Sequence, residues 1–194
     1  MQFRMCAQVK PTPCDNVRMK PAPVKPLLIL SHGLESGPDA TKVSALAKIA
    51  DTMELRSVRP DYRDLDAGRD ASRIDARIAR LTQHAPAGAP IVLAGSSLGA
   101  FISGFASIEM DNCIGLFLIA LPMAIPGYPQ RFDAKRTPTA LFHGWDDELC
   151  PVDDAIAFAR ARGDAITLVR DDHRLSAHVD FVARQFQDFL RQFV

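Results

Sequence analysis

The chain has 194 residues, of which 47% are hydrophobic and 24% charged, enough apolar material for one sizeable core and too much for a disordered acidic chain. Lys and Arg together number 23, as do Asp and Glu, so the formal charge is zero; with both signs interspersed, the chain lacks the basic excess or stripe of a nucleic-acid binder. No stretch approaches the roughly 18 apolar residues of a membrane span, and none near the start forms the continuous apolar centre of a secretory signal, so no membrane span and a cytoplasmic location are expected.

Residues 1–26 carry Pro11, Pro13, Pro21, Pro23 and Pro26 and read as an extended arm ahead of one domain over residues 27–194. Met19 offers an alternative start of translation within that arm. From residue 27 two signals alternate: short branched apolar runs and longer stretches of helical period. Leu27–Leu30 is a first strand, and 40–53 a helix with Val43, Leu46, Ala47, Ile49 and Ala50 on one stripe. A weaker strand over 55–59 stops at Pro60, and 69–83 is a helix with Ile74, Ile78 and Leu81 in register. A Pro/Gly-rich turn then leads into the strand 91–94 and a small-residue helix over 98–110. Strands follow at 114–120, 139–142 and 165–169, with helices at 153–162 and 177–193. Apolar runs without polar alternation imply strands buried on both faces. The expected fold is therefore α/β, a mostly parallel six-stranded sheet with helices on both sides.

The cysteines, Cys6, Cys14, Cys113 and Cys150, have neither C-x-x-C spacing nor a His cluster of zinc-site spacing. They read as reduced thiols, with Cys113 in the core and Cys150 at a site rim. No metal and no cofactor are implied.

A parallel sheet of this kind carries its chemistry in loops at the carboxyl ends of its strands. After the third strand comes Gly95-Ser96-Ser97-Leu98-Gly99, a G-x-S-x-G between an apolar strand and a helix. Such a turn forces its central residue into strained dihedrals, lifts the Ser97 hydroxyl out of the sheet and sets it at a helix amino end. The flanking glycines relieve the crowding. After the first strand, Ser31-His32-Gly33-Leu34 turns backbone N–H groups toward the same edge. The Leu34 and Leu98 amides are candidates for an oxyanion hole, and His32 reads as structural. After the fifth strand, Asp146, Asp147 and Glu148 stand together; either aspartate has the reach to orient a base histidine. After the sixth comes His173, the candidate base, in preference to His178 near the start of the last helix. His84 reads as surface. Nucleophile, acid and base run in the order Ser, Asp, His. Leu34, Met123, Ile125, Tyr128 and Trp145, from strand-end loops, are candidates for an apolar acyl pocket. Glu35 and Arg63 read as solvated.

The segments LLILSHG, GSSLG, HGWDDELCP and DDHRL over residues 27–194 resemble the α/β-hydrolase superfamily, and more loosely its small lidless esterase-like members. In that family a segment HGxxDxxxP delivers the acid, and matching it here puts Asp147 in the acid position between Gly144 and Pro151. The resemblance implies Ser97 as nucleophile, Asp147 as acid and His173 as base. It further implies a reduced α/β-hydrolase fold, because the proline-rich arm stands where many members open with antiparallel strands, and no lid domain, because the connection 121–138 is too short for a helical cap. The function expected is hydrolysis of small carboxylic esters or thioesters through an acyl-enzyme on Ser97, with a small-molecule acyl substrate as partner. Alternatives are a catalytically silent binding or interaction protein and an amidase or peptidase of the same fold.

Overall fold

The computed structural model describes residues 24–66 and 70–194; all but the last three residues of the proline-rich segment 1–26 lie outside them. Six strands alternate with five α-helices: β1 (Leu27–Ser31), α1 (Thr41–Thr52), β2 (Ser57–Val58), α2 (Ile74–Thr82), β3 (Ile91–Ser96), α3 (Leu98–Glu109), β4 (Cys113–Ile119), β5 (Thr139–Gly144), α4 (Val152–Arg162), β6 (Ala165–Val169) and α5 (Val179–Leu190). The strands form one sheet in the order β2-β1-β3-β4-β5-β6, and every neighbouring pair is parallel.

The two-residue period of a strand divides the core in two. Leu27, Ile29, Ile91, Leu93, Leu116, Leu118 and Leu141 face α2, α3 and α4. Leu28, Leu30, Val92, Ala94, Phe117, Ile119 and Phe142 face α1 and α5. Both faces are thus covered, which is why these strands read as unbroken apolar runs. The helix α3 runs through the first of these cores with ten buried residues, and its small side chains let it sit close to the sheet.

Differences from the expected boundaries have local causes. The edge strand β2 is only two residues long, pairing with Leu28 and Ile29. Helix α2 starts at Ile74 rather than residue 69, because Asp70 Oδ1 accepts from the Ser72 amide and hydroxyl, a local turn that competes with helix. Strands β3 and β5 outlast their apolar runs, ending at Ser96 and Gly144, because the ladder needs only backbone. Before α5, Ser176–His178 form a short 3-10 turn. The connection from β4 to β5 contains no helix, and no lid covers the sheet among the described residues.

Candidate active site

The sheet register brings the ends of β1, β3, β5 and β6 to one edge: Ser31 lies opposite Gly95, and Gly144 opposite Val169. Ser97 follows β3 directly, with φ 55 and ψ −123, a strained conformation that persists only where the surroundings over-determine it. They do so here. The Ser97 amide donates to Ile119 O at 2.8 Å, and the Ser97 carbonyl accepts from Ala100 at 2.8 Å. A Cβ on Gly95 would lie 2.2 Å from Gly99 O, and one on Gly99 would lie 2.2 Å from Ser31 O. Both glycines of the G-x-S-x-G segment are thus required by close approach of backbone, the second by contact with the β1 loop.

That loop also touches the serine, since a Cβ on Gly33 would come 3.4 Å from Ser97 Cβ. Leu34 follows in a turn, partly buried against the α3-side core. Leu98 opens α3, so its amide is one of the four without an intrahelical acceptor. His32 is 2% exposed and holds the loop in place. The Tyr62 amide donates to its Nε2 at 3.0 Å, so Nδ1 carries the hydrogen and donates to Gly33 O at 2.8 Å. Burial lowers its pKa below the ordinary 6.5, against the pull of the Gly33 carbonyl, Asp66 and Asp61.

His173 Nε2 lies 2.9 Å from Ser97 Oγ. Its Nδ1 lies 3.0 and 2.9 Å from the two carboxylate oxygens of Asp147. The carboxylate that faces His173 is thus that of Asp147; Asp146 is exposed, and its amide donates to Asp171 O at 3.1 Å. The Asp147 carboxylate is enclosed by donors. Oδ1 accepts from the amides of Leu149 at 3.0 Å and Cys150 at 2.8 Å, and Oδ2 lies 3.2 Å from His143 Nε2. Burial by itself would raise its pKa, but the hydrogen bonds from His143, His173 and the Cys150 amide outweigh that and hold it far below the usual carboxylate range.

Sequence reasoning gave His143 no task beyond opening the HG segment. It is 1% exposed, and its Nε2 lies 2.8 Å from Cys150 O. A carbonyl only accepts, so this nitrogen carries a hydrogen, which also reaches Asp147. The signal was its place four residues before Asp147, at the end of a strand.

The loop that carries His173 is fastened from three sides. A Cβ on Gly144 would lie 2.3 Å from Asp171 O, so only glycine lets the Asp147 and His173 loops pack this closely. Lys42 on α1 donates to Arg174 O at 2.6 Å; burial lowers its pKa, opposed by Asp172, Asp171 and Asp147. Leu175, fully buried, takes φ 54 in the same loop. His178 stands in the short turn before α5 with its side chain 30% exposed; its Nδ1 lies 2.8 Å from Asp171 Oδ2, which also accepts from the Ala177 amide at 3.1 Å. His178 thereby ties the loop together, away from Ser97. His84 is exposed.

The expected pocket residues lie in different surroundings. Met123 and Ile125 are buried in the α3-side core. Tyr128 packs edge-on against Phe101 and Phe105 and donates to Asp75 at 3.1 Å. Trp145 is exposed on the acid loop. Arg63 is exposed and paired with Asp61. A cavity of about 300 Å³ lined by Arg136, Pro138, Arg162 and Asp164 lies at the opposite, amino ends of β5 and β6 and takes no part in this site. Cys150 is buried beneath the site rather than on its rim, and burial with the nearby Asp147 charge pushes its thiol up to about 12. Among the described residues, Asp147, Cys150 and His173 form a group with potential metal donors, their ligand atoms within 4.8 Å of one another.

A protein of known structure from Xanthomonas campestris pv. campestris, described as a candidate hydrolase of the alpha/beta superfamily, is 42% identical over 87% of this chain and 99% of its own, with a TM-score of 0.82. The chain belongs to the α/β-hydrolase superfamily. Other members of this fold superimpose at lower identity. Mouse alpha/beta hydrolase domain-containing protein 10 matches at 18% identity and TM-score 0.71, over 89% of this chain and 92% of its own. Est1E from Butyrivibrio proteoclasticus matches at 15% and 0.67, over 89% of each chain. No family model and no curated protein matches the sequence. Membership of the α/β-hydrolase superfamily supports hydrolase activity in general, and no described helix is long and apolar enough to cross a membrane.

Proposed function

We propose that this α/β-hydrolase is a serine hydrolase that cleaves small carboxylic esters or thioesters through an acyl-enzyme on Ser97. The observation that carries the reading is the unbroken hydrogen-bond chain from Asp147 through His173 to Ser97. In this reading His173 Nε2 takes the Ser97 proton as Oγ attacks the substrate carbonyl. The imidazolium so formed is stabilised by the ionised Asp147, which holds the hydrogen on Nδ1. The Leu34 and Leu98 amides hold the developing oxyanion; one such donor is worth about 2.7–4 kcal/mol of barrier. His173 then protonates the leaving group, and a water activated by the same nitrogen releases the acid. Met123, Tyr128 and Trp145 are assigned to the acyl side of the site. The connection between β4 and β5 contains no helix that would enclose a long acyl chain, so short substrates are favoured.

Labelling with a fluorophosphonate, followed by a series of p-nitrophenyl esters, tests this. Wild type is expected to be labelled, Ser97→Ala not, and activity to peak at short acyl chains. Equal labelling of the two proteins, or none of wild type, sinks the nucleophile assignment. Best activity on a sixteen-carbon chain would overturn the substrate class.

A further inference from the structure

Cys150 has no task for its side chain in the hydrolytic cycle, yet it lies against the acid and the base. Its Sγ, a carboxylate oxygen of Asp147 and a ring nitrogen of His173 are within 4.8 Å of one another. Cys150 is 5% exposed, and its backbone is fixed at both ends: its amide donates to Asp147 Oδ1 and its carbonyl accepts from His143. One thiol, one imidazole and one carboxylate are a donor set for a borderline-soft cation such as Zn²⁺, not for Mg²⁺ or Ca²⁺.

The spacing fits as well as the chemistry. Tetrahedral zinc, with bonds of about 2.3 Å to sulfur and about 2.0–2.1 Å to nitrogen and oxygen, sets its donors roughly 3.3–3.6 Å apart. His173 Nδ1 and Asp147 Oδ2 are already 2.9 Å apart, so they need only part slightly. With all three donors within 4.8 Å of one another, the thiol has roughly 1.2–1.5 Å at most to travel, within reach of a small side-chain adjustment. Asp147 is supported as metal-binding carboxylates are, by outer hydrogen bonds: the Leu149 and Cys150 amides on Oδ1 and His143 on Oδ2. The imidazole, with its side chain 15% exposed, is the exposed member through which an ion would arrive.

We propose that Asp147, Cys150 and His173 form a zinc-binding site and that Zn²⁺ bound there reversibly shuts the hydrolase. On binding, the Cys150 thiol proton passes to solvent as the Zn–S bond forms. The ion takes the carboxylate and the Nδ1 lone pair of His173, whose hydrogen passes to Nε2, so that Nε2 can no longer accept the Ser97 proton; water fills the fourth position. Binding itself depends only on the three donors. Its inhibitory effect rests on the function proposed above.

Cobalt(II) serves as a spectroscopic substitute for zinc. Titration with Co²⁺ is expected to produce a thiolate-to-cobalt charge-transfer band in wild type and in Ser97→Ala, and Zn²⁺ is expected to bleach it. Cys150→Ser and, as a second substitution, Cys150→Ala should lack the band, with folding checked by thermal unfolding. In parallel, Zn²⁺ should inhibit p-nitrophenyl butyrate hydrolysis, EDTA should restore it, and Cys150→Ser should raise the inhibition constant at least tenfold. No band in wild type and Ser97→Ala, a band of equal strength in both Cys150 variants, or an unchanged inhibition constant overturns the site. A band in a wild type that hydrolyses nothing upholds the metal site and removes the proposed function instead.

Discussion

Asp147→Asn separates orientation from geometry, because the replacement fits the same space. The Leu149 and Cys150 amides both donate to the Oδ1 position, so the asparagine carbonyl oxygen must sit there. Its NH₂ then takes the Oδ2 position, 2.9 Å from His173 Nδ1. Two consequences follow. His173 has to accept at Nδ1, which moves its hydrogen to Nε2, facing Ser97 Oγ. In that tautomer it can no longer take the serine proton. A wrong tautomer of this kind costs a Ser-His-Asp site about 10⁴-fold in kcat, or roughly 5 kcal/mol of barrier. The second consequence is for folding. His143 Nε2, whose hydrogen is fixed by Cys150 O, now meets another donor at 3.2 Å, a cost of about 1–3 kcal/mol for an unsatisfied buried polar group. The assay is kcat/KM on p-nitrophenyl butyrate beside a urea unfolding curve, with Asp146→Asn as the control. Asp146 is exposed and engages the base loop through its backbone amide, so its variant should stay within about twofold of wild type, as a surface substitution remote from such features does. If Asp147→Asn keeps more than a tenth of wild-type activity, or Asp146→Asn loses more than it does, the tautomer argument is wrong.

Gly99→Ala should destabilise by about 1–3 kcal/mol or more, as overpacking does, because its Cβ would stand 2.2 Å from Ser31 O and 2.5 Å from His32 O. The same displacement of Ser97 should slow fluorophosphonate labelling on the order of 100-fold, whereas Gly163→Ala, with nothing within 4 Å, should leave labelling unchanged. His32 sets a pH dependence of stability. Its pKa is lowered by burial from 6.5, so below that value the unfolded chain takes a proton that the folded chain refuses. Stability should therefore fall as pH drops from 7 toward 5, by at most about 1.4 kcal/mol per pH unit for one proton, and level off above 7. Urea midpoints for wild type and His32→Gln across that range read it directly; equal slopes would exclude His32 as the source. Asp147, its pKa also lowered but by its hydrogen-bond donors, adds stability that is present above the ordinary carboxylate value of 3.8 and is lost only as pH falls below it.

Much of this protein is determined locally. The alternation of apolar runs with helical stretches dictates a parallel α/β sheet, since strands without polar alternation must be covered on both faces. The G-x-S-x-G turn between β3 and α3 places Ser97 at a strand end, because a strand entering a helix so sharply needs glycine on either side. Ser97, Asp147 and His173 were therefore legible as candidates from position along the chain. Their assembly was not. Ser97 and His173 are 76 residues apart, and only the β3-β4-β5-β6 register carries their loops to one edge. The choice of Asp147 over Asp146 is a matter of direction: adjacent residues in a loop have the same reach, and the amides of Leu149 and Cys150 decide which carboxylate turns inward. His143, Lys42 and His178 escaped sequence reasoning for the same reason, since nothing in their own neighbourhoods tells which distant loop each one holds. Cys150 is the sharpest case. Spacing placed it at a rim, and tertiary packing puts its sulfur beneath the acid and base, because the turn that delivers the Asp147 carboxylate folds back over itself to supply that carboxylate with amides.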